Sequence, residues 1–391
     1  MTVWAGSRVR TCLTTAAVLV AAACGPAAPA ATPPPAPDAA VLTRTWAATD
    51  VPSIPDGTAQ AVAFGSSGFV AVGGVTGWRQ DPNGGKAGFP LRPVVLHSPD
   101  GLTWTPARLD FNVQGVSLED VAAGPDEYVA VGGHSAGVGE QRMDVLWSAD
   151  GLTWEPVVLP DPEANAFPWR VAWTGEAFIV SATDYVRPVA IELVSADGRT
   201  WASRDVEYQR ALVPTSAGWL GIGPTDAWTT PDLEPWEADA LTWPQEGWTV
   251  WAPERGAVTP GGAILAGSIQ SPCGPFSDCT SAMAAWWSAD ARHWVPLPVT
   301  EVGWRFFGSR MGVHRLGGGE GEAVYVNDRD TWASVDGWRW QPLVNGAVDV
   351  PSGQAVMDLV VGDGVVVLVG QGESPLGGDT PGVVAIDAAI P

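Results

Sequence analysis

Six segments of the chain set a hydroxyl, a carboxylate and an indole at nearly fixed spacing, a combination that can ligate a cation, hold a sugar or close a turn on itself. They are SPDGLTW (Ser98, Asp100, Trp104), SADGLTW (Ser148, Asp150, Trp154), SADGRTW (Ser195, Asp197, Trp201), TPDLEPW (Asp232, Trp236), SADARHW (Ser288, Asp290, Trp294) and SVDGWRW (Ser334, Asp336, Trp340). The turn chemistry is self-sufficient. Ser and Asp side chains bond the backbone amides of their own turn, Gly takes the φ > 0 position, and Trp fills the space between neighbouring strands. These residues are therefore expected to stabilise rather than bind. No metal site is expected either, because a thiol pair with only four His in the chain offers too few ligands.

A second set pairs aromatic with charged groups. Trp78 and Arg79 lie with Lys86 in the Gly- and Pro-rich stretch 74–93, read as a long loop. Asp184, Tyr185 and Arg187 lie in another loop, whereas Trp169 with Arg170 (in 161–170) and Trp304 with Arg305 (in 301–310) are placed on connections between repeat units. Exposed aromatic loops of this kind make binding surfaces. With 22 Trp in the chain, most of the indoles must nonetheless be packing residues. No Walker loop, dinucleotide fingerprint, H-E-x-x-H or nucleophile elbow occurs, so no cofactor is implied. Cys273 and Cys279, in SPCGPFSDCT, are expected to close a local disulfide in an oxidising compartment.

The elements that must carry these residues are strands. From 41 to 391 no helical i, i+3, i+4 pattern is sustained, while short alternating apolar runs recur between Gly, Pro, Asp and Ser clusters. The repeated Trp, from Trp46 through Trp340, recurs every 35 to 58 residues, close to the 40 to 50 or so of a four-stranded propeller blade. Each unit reads as strand, Gly turn, strand, variable loop, strand, repeated turn, strand. Pro106, Pro156, Pro296 and Pro342 follow the turn Trp by two residues, which marks those strands as outermost, since Pro lacks the N–H a central strand needs. The whole is an all-β chain, a seven-bladed β-propeller. Residues 43–48 supply a fourth strand to the C-terminal GVVAIDAAIP, closing the ring and removing exposed edges.

The turns resemble the Asp-box, or BNR repeat, of sialidase-like β-propellers, and are one residue shorter between Asp and Trp than that pattern. The resemblance is specific for architecture and spans nearly the whole domain. For activity it implies two classes. One is a non-catalytic binding or scaffold protein that holds a glycan, peptide or envelope partner on its loop face. The alternative is a sialidase-type exo-glycosidase, which requires an arginine triad, a tyrosine nucleophile with a glutamate, and an acid/base aspartate. Of the four tyrosines, Tyr128 and Tyr325 fall in strands, which leaves Tyr185 and Tyr208, and nothing in the spacing of Tyr185, Asp184, Arg170, Arg187 and Arg305 enforces such a site. Binding ranks first, with no catalytic residue assigned.

The N-terminus sets the compartment. Arg8 and Arg10 precede an uncharged stretch ending in small residues at Cys24, the layout of a signal peptide over 1–23. VAAACG resembles a lipobox, which makes Cys24 the lipidated residue of a bacterial-type lipoprotein. Residues 24–40 are a Pro- and Ala-rich tether. The domain is thus expected outside the cytoplasmic membrane, held to it by a lipid anchor alone, and monomeric. Its charge, −23 for the full chain and −25 without the two leader arginines, disfavours nucleic acid as a partner.

Overall fold

Strands of this chain bury both faces. Val365–Gln371 (VVVLVGQ) is buried from its first residue to its sixth, and Val116–Ala123 alternates before it also becomes buried on both sides. A strand of that kind must lie between two layers. The computed structural model describes residues 44–80, 86–109, 111, 114–137, 140–159, 166–184, 189–206, 211–215, 218–222, 226–230, 237–241, 249–270, 281–297, 315–319, 321–326, 331–343, 355–372 and 384–391.

Among the described residues the strands form seven separate sheets. The first joins Gly57–Gly65, Gly68–Gln80, Lys86–Ser98 and Thr105–Pro106, and the second Val116–Ala123, Tyr128–Gly137, Glu140–Ser148 and Thr153–Pro156. The third joins Ala166–Trp173, Phe178–Asp184, Val189–Ser195 and Ala202–Val206; the fourth Ala211–Thr215, Gly218–Ile222, Asp226–Thr230 and Glu237–Ala240. The fifth joins Thr249–Thr259, Gly262–Gln270, Ser281–Ser288 and Val295–Pro296; the sixth Arg315–Gly319, Glu322–Val326, Thr331–Ser334 and Gln341–Pro342. In the seventh, Ala355–Gly362, Val365–Gln371 and Val384–Ile390 are completed by Thr45–Ala47, which pairs antiparallel with the last strand, Trp46 opposite Ala389. Apart from Thr45–Ala47, the four strands named for each sheet neighbour one another in sequence order, as antiparallel meanders.

The apolar core lies between consecutive sheets. Val367, Val369 and Ile386 of the seventh pack with Phe69, Leu96 and Trp104 of the first, and Val70 and Val72 of the first with Leu118, Tyr128 and Leu146 of the second. The same layering joins the second to the third and the sixth to the seventh.

The repeated turns clasp those layers. In the second sheet Ser148 Oγ donates to Asp150 Oδ1 at 3.2 Å, and the Leu152 and Thr153 amides donate to the same oxygen at 2.8 Å each. The Trp154 indole N–H donates to the Gly151 carbonyl at 2.9 Å. Gly151 has φ 73°, and a Cβ there would lie 2.8 Å from Val70 and 2.9 Å from His97 of the first sheet. Glycine is thus required twice, for its dihedral and for contact with the preceding layer. The Leu152 carbonyl accepts from the Arg108 amide, and the Leu102 carbonyl from the Asp50 amide, so these two turns also pin the chain crossing from the sheet before. Arg108–Leu109 thereby becomes a parallel fifth strand on the second sheet, beside Thr153 and Trp154. The Thr153–Pro156 strand is therefore not the outermost, although Pro156 itself has no partner in that added ladder.

One turn departs from the pattern. Ala291 replaces Gly at φ 59°, and the buried Trp294 indole N–H has no acceptor among the described residues. Ala291→Gly is expected to raise stability by about 0.5–1 kcal/mol by relieving the left-handed strain of a Cβ-bearing residue. Chemical denaturation that shows a loss of similar size would contradict that reading.

Candidate functional site

Five of the seven first strands share an irregularity. The register shifts between Ala59 and Ala61, Leu118 and Asp120, Pro168 and Arg170, Pro253 and Arg255, and Val356 and Asp358. A β-bulge re-aims the side chains around it. Residues at or beside these bulges, Gln60, Glu119, Trp169, Arg170, Arg255 and Met357, line a cavity of about 180 Å³ together with Phe167 and Pro168. The first strands of five sheets thus meet at one place.

The second bulge carries the charge that organises the site. Asp120 is buried, and its Oδ2 accepts from the Val171 amide of the third sheet at 2.9 Å while Oδ1 lies 3.6 Å from Arg170 Nη1. Asp358, at the equivalent position of the seventh sheet, accepts from the Val62 amide of the first at 3.1 Å. These carboxylates tie one inner strand to the next. Burial pushes the Asp120 carboxyl up to about 6, with Arg170 opposing the rise and Asp358 adding to it. Burial also raises Glu119, against the hydrogen bond from Ser117 and with a contribution from the Asp120 charge.

Asp120 therefore makes stability depend on pH in a defined direction. Its folded value lies above the unfolded value of about 3.9, so the folded state holds more protons between about pH 4 and 6. The contribution is complete below that window and is lost as pH rises through it. The stability difference between wild type and Asp120→Asn should accordingly shift against the wild type from pH 4 to 6 in urea titrations. A difference that stays constant over that range would refute the assignment.

Trp169 gives the cavity an aromatic wall. It is 48% exposed, its indole N–H donates to Thr183 Oγ1 at 2.7 Å, and its ring meets Phe167 edge-on at 6.1 Å and 81°. Fixing a large exposed ring on a strand in this way leaves a preformed surface. Beside it are a carboxyl, an amide and two guanidinium groups. Arg170 is held by Asp120; Arg255 has no ion-pair partner among the described residues. Carboxyl, guanidinium and amide groups can hydrogen-bond hydroxyls, and the indole can stack against an apolar face. Among the described residues no three His, Cys, Asp or Glu side chains are placed to hold a metal ion.

The sequence reading brought only Trp169 and Arg170 to this site, and it misplaced their setting. They stand on the first strand Ala166–Trp173, not on a connection between sheets. Trp78 and Arg79 lie elsewhere in the chain's course, near the end of Gly68–Gln80, and the expected loop 74–93 is mostly a two-stranded ribbon in which Trp78 is opposite Gly88. Asp184 ends the strand Phe178–Asp184. Tyr185, Arg187, Trp304, Arg305, Asp232, Trp236, Cys24, Cys273 and Cys279 lie outside the described residues.

The turn residues of the remaining copies line no part of the cavity. Ser98–Asp100, Ser195–Asp197, Ser288–Asp290 and Ser334–Asp336 repeat the hydroxyl-to-carboxylate contact at 2.9 to 3.2 Å. Trp104, Trp201 and Trp340 donate to the turn carbonyl as Trp154 does. The Thr200 and Arg199 amides hold the Asp197 carboxyl down to about 2. Gln60, Glu119, Asp120, Arg255, Met357 and Asp358 were missed.

The sequence matches no family description and no curated protein. Among solved structures, the chain is similar to the α-L-arabinofuranosidase of Fusarium graminearum in complex with an iminosugar inhibitor, at TM-score 0.50 and 16% identity over 89% of this chain and 97% of that one. The same enzyme in complex with arabinobiose gives the same values. At this identity the likeness is one of fold, and the fold is a β-propeller.

Proposed function

We propose that this protein is a carbohydrate-binding lipoprotein of the cell surface and that the cavity beside Trp169 is its binding site. The observation that carries the reading is the pairing of a half-exposed, hydrogen-bonded indole with Gln60, Glu119, Arg170 and Arg255 around one cavity. Its volume, about 180 Å³, is below the roughly 300–1,000 Å³ of most ligand pockets, so it takes one sugar unit or a chain end. Trp169→Ala is expected to weaken glycan binding by about tenfold or more, ~1.4 kcal/mol, with little change in melting temperature because the ring is exposed. Screening the mature protein and the variant against neutral, acidic and arabinose-containing oligosaccharides tests this. Equal binding by both proteins would place the site elsewhere.

The seven sheets are read as seven blades of a closed ring, with Thr45–Ala47 completing the last, and the repeated turns as shortened Asp-boxes. Their pairing and their shared contacts with neighbouring layers support that reading. Cys24 is read as the lipid anchor, residues 24–40 as the tether, and Cys273 with Cys279 as a disulfide.

A second reading is favoured by one observation: Glu119 lines the cavity with its carboxyl pushed up by burial, as a proton donor for glycoside hydrolysis would be. Turnover of fluorogenic arabinofuranosides or sialosides that disappears in Glu119→Gln would establish hydrolysis and displace the binding-only reading.

A further inference from the structure

The Trp169 indole spends its only hydrogen on its own sheet. Nε1–H donates to Thr183 Oγ1 at 2.7 Å, from the first strand of the third sheet to the second. An indole has no other donor and no acceptor. What it can offer a ligand is therefore its ring faces and edge, not a hydrogen bond. Thr183 stands opposite Phe167 in the ladder, and Phe167 meets the indole edge-on, so the two residues fix the ring from two directions. The bulge that lifts Trp169 out of register leaves the ring half exposed, and without these contacts its rotamers would be free to spread.

Resting on the carbohydrate reading above, we infer that Thr183 is the positioning residue of the site, orienting Trp169 so that it accepts the C–H face of a sugar ring by stacking. The ligand class that fits is a sugar unit with adjacent C–H groups on one side, its hydroxyls directed to Glu119, Gln60 and the two arginines. A unit whose hydroxyls are spread over both ring faces would meet an indole unable to bond them.

The test has two readouts. In a ¹H–¹⁵N spectrum of the mature protein, the indole N–H signal assigned by its loss in Trp169→Phe should move upfield and exchange faster with water in Thr183→Val, and return in Thr183→Ser. In titrations with the strongest-binding oligosaccharide of the screen, Thr183→Val should weaken binding about five- to tenfold while Thr183→Ser restores it. An indole signal unaffected by Thr183→Val overturns the positioning role, as does binding unaffected by that variant. If wild type binds no glycan, the carbohydrate reading and with it the ligand class fail, while the indole signal still decides whether Thr183 holds Trp169.

Discussion

Trp154→Ala is expected to destabilise the protein by about 3–5 kcal/mol, the largest effect of any single turn substitution. The ring is fully buried between the first and second sheets, among Val70, Val72, Leu118, Tyr128 and Leu146, and its N–H is bonded to Gly151. Truncation empties that space and frees the Gly151 carbonyl together, at a point where the second sheet also receives the Arg108 crossing. Asp150→Ala should cost less, about 1–3 kcal/mol, because it removes acceptors for the Leu152 and Thr153 amides but no packed volume. Denaturant titration of both variants checks the order. A Trp154 variant of unchanged stability that lost a ligand would instead make the turn a binding site.

Arg44→Ala is expected to cost a further-reaching 3–5 kcal/mol or so, the usual penalty for breaking a buried ion pair. Arg44 precedes the strand Thr45–Ala47 and holds two sheets at once. Its amide donates to Leu343 of the sixth at 2.8 Å, its Nε to Gly364 of the seventh at 3.0 Å, and its Nη1 lies 2.6 Å from Glu322 Oε1. Both side chains are buried. Loss of the guanidinium should loosen the terminal strand, seen as faster proteolysis near residue 44, and Arg44→Met with Glu322→Leu should recover part of the stability. A single variant as stable and as protease-resistant as wild type would show that the strand is held by its ladder to Val384–Ile390 alone.

The turns were legible because their own hydrogen bonds are local. Ser148, Asp150, Gly151 and Trp154 bond one another within seven residues, so their spacing carries the geometry. The cavity was not legible, because Gln60, Glu119, Trp169, Arg255 and Met357 come from strands far apart in sequence and meet only when the sheets pack. Trp169 and Arg170 read as a connection because Pro168 and the bulge interrupt the alternation that marks a strand. The ribbon ending in Gln80 and Lys86 read as a loop for its glycines, yet its two strands keep register from Gly77 opposite Phe89 to Gln80 opposite Lys86. Residues that broke the pattern locally were those the fold used for a purpose between layers.

The most direct measurement is a crystal structure of the mature protein with the best-bound oligosaccharide of the screen. A sugar ring is expected against the Trp169 indole, with hydroxyls bonded to Glu119, Gln60 or Arg255 and the Trp169–Thr183 hydrogen bond intact. A sugar seated on the Trp78 ribbon or on the turns, with the cavity beside Trp169 empty, would contradict it.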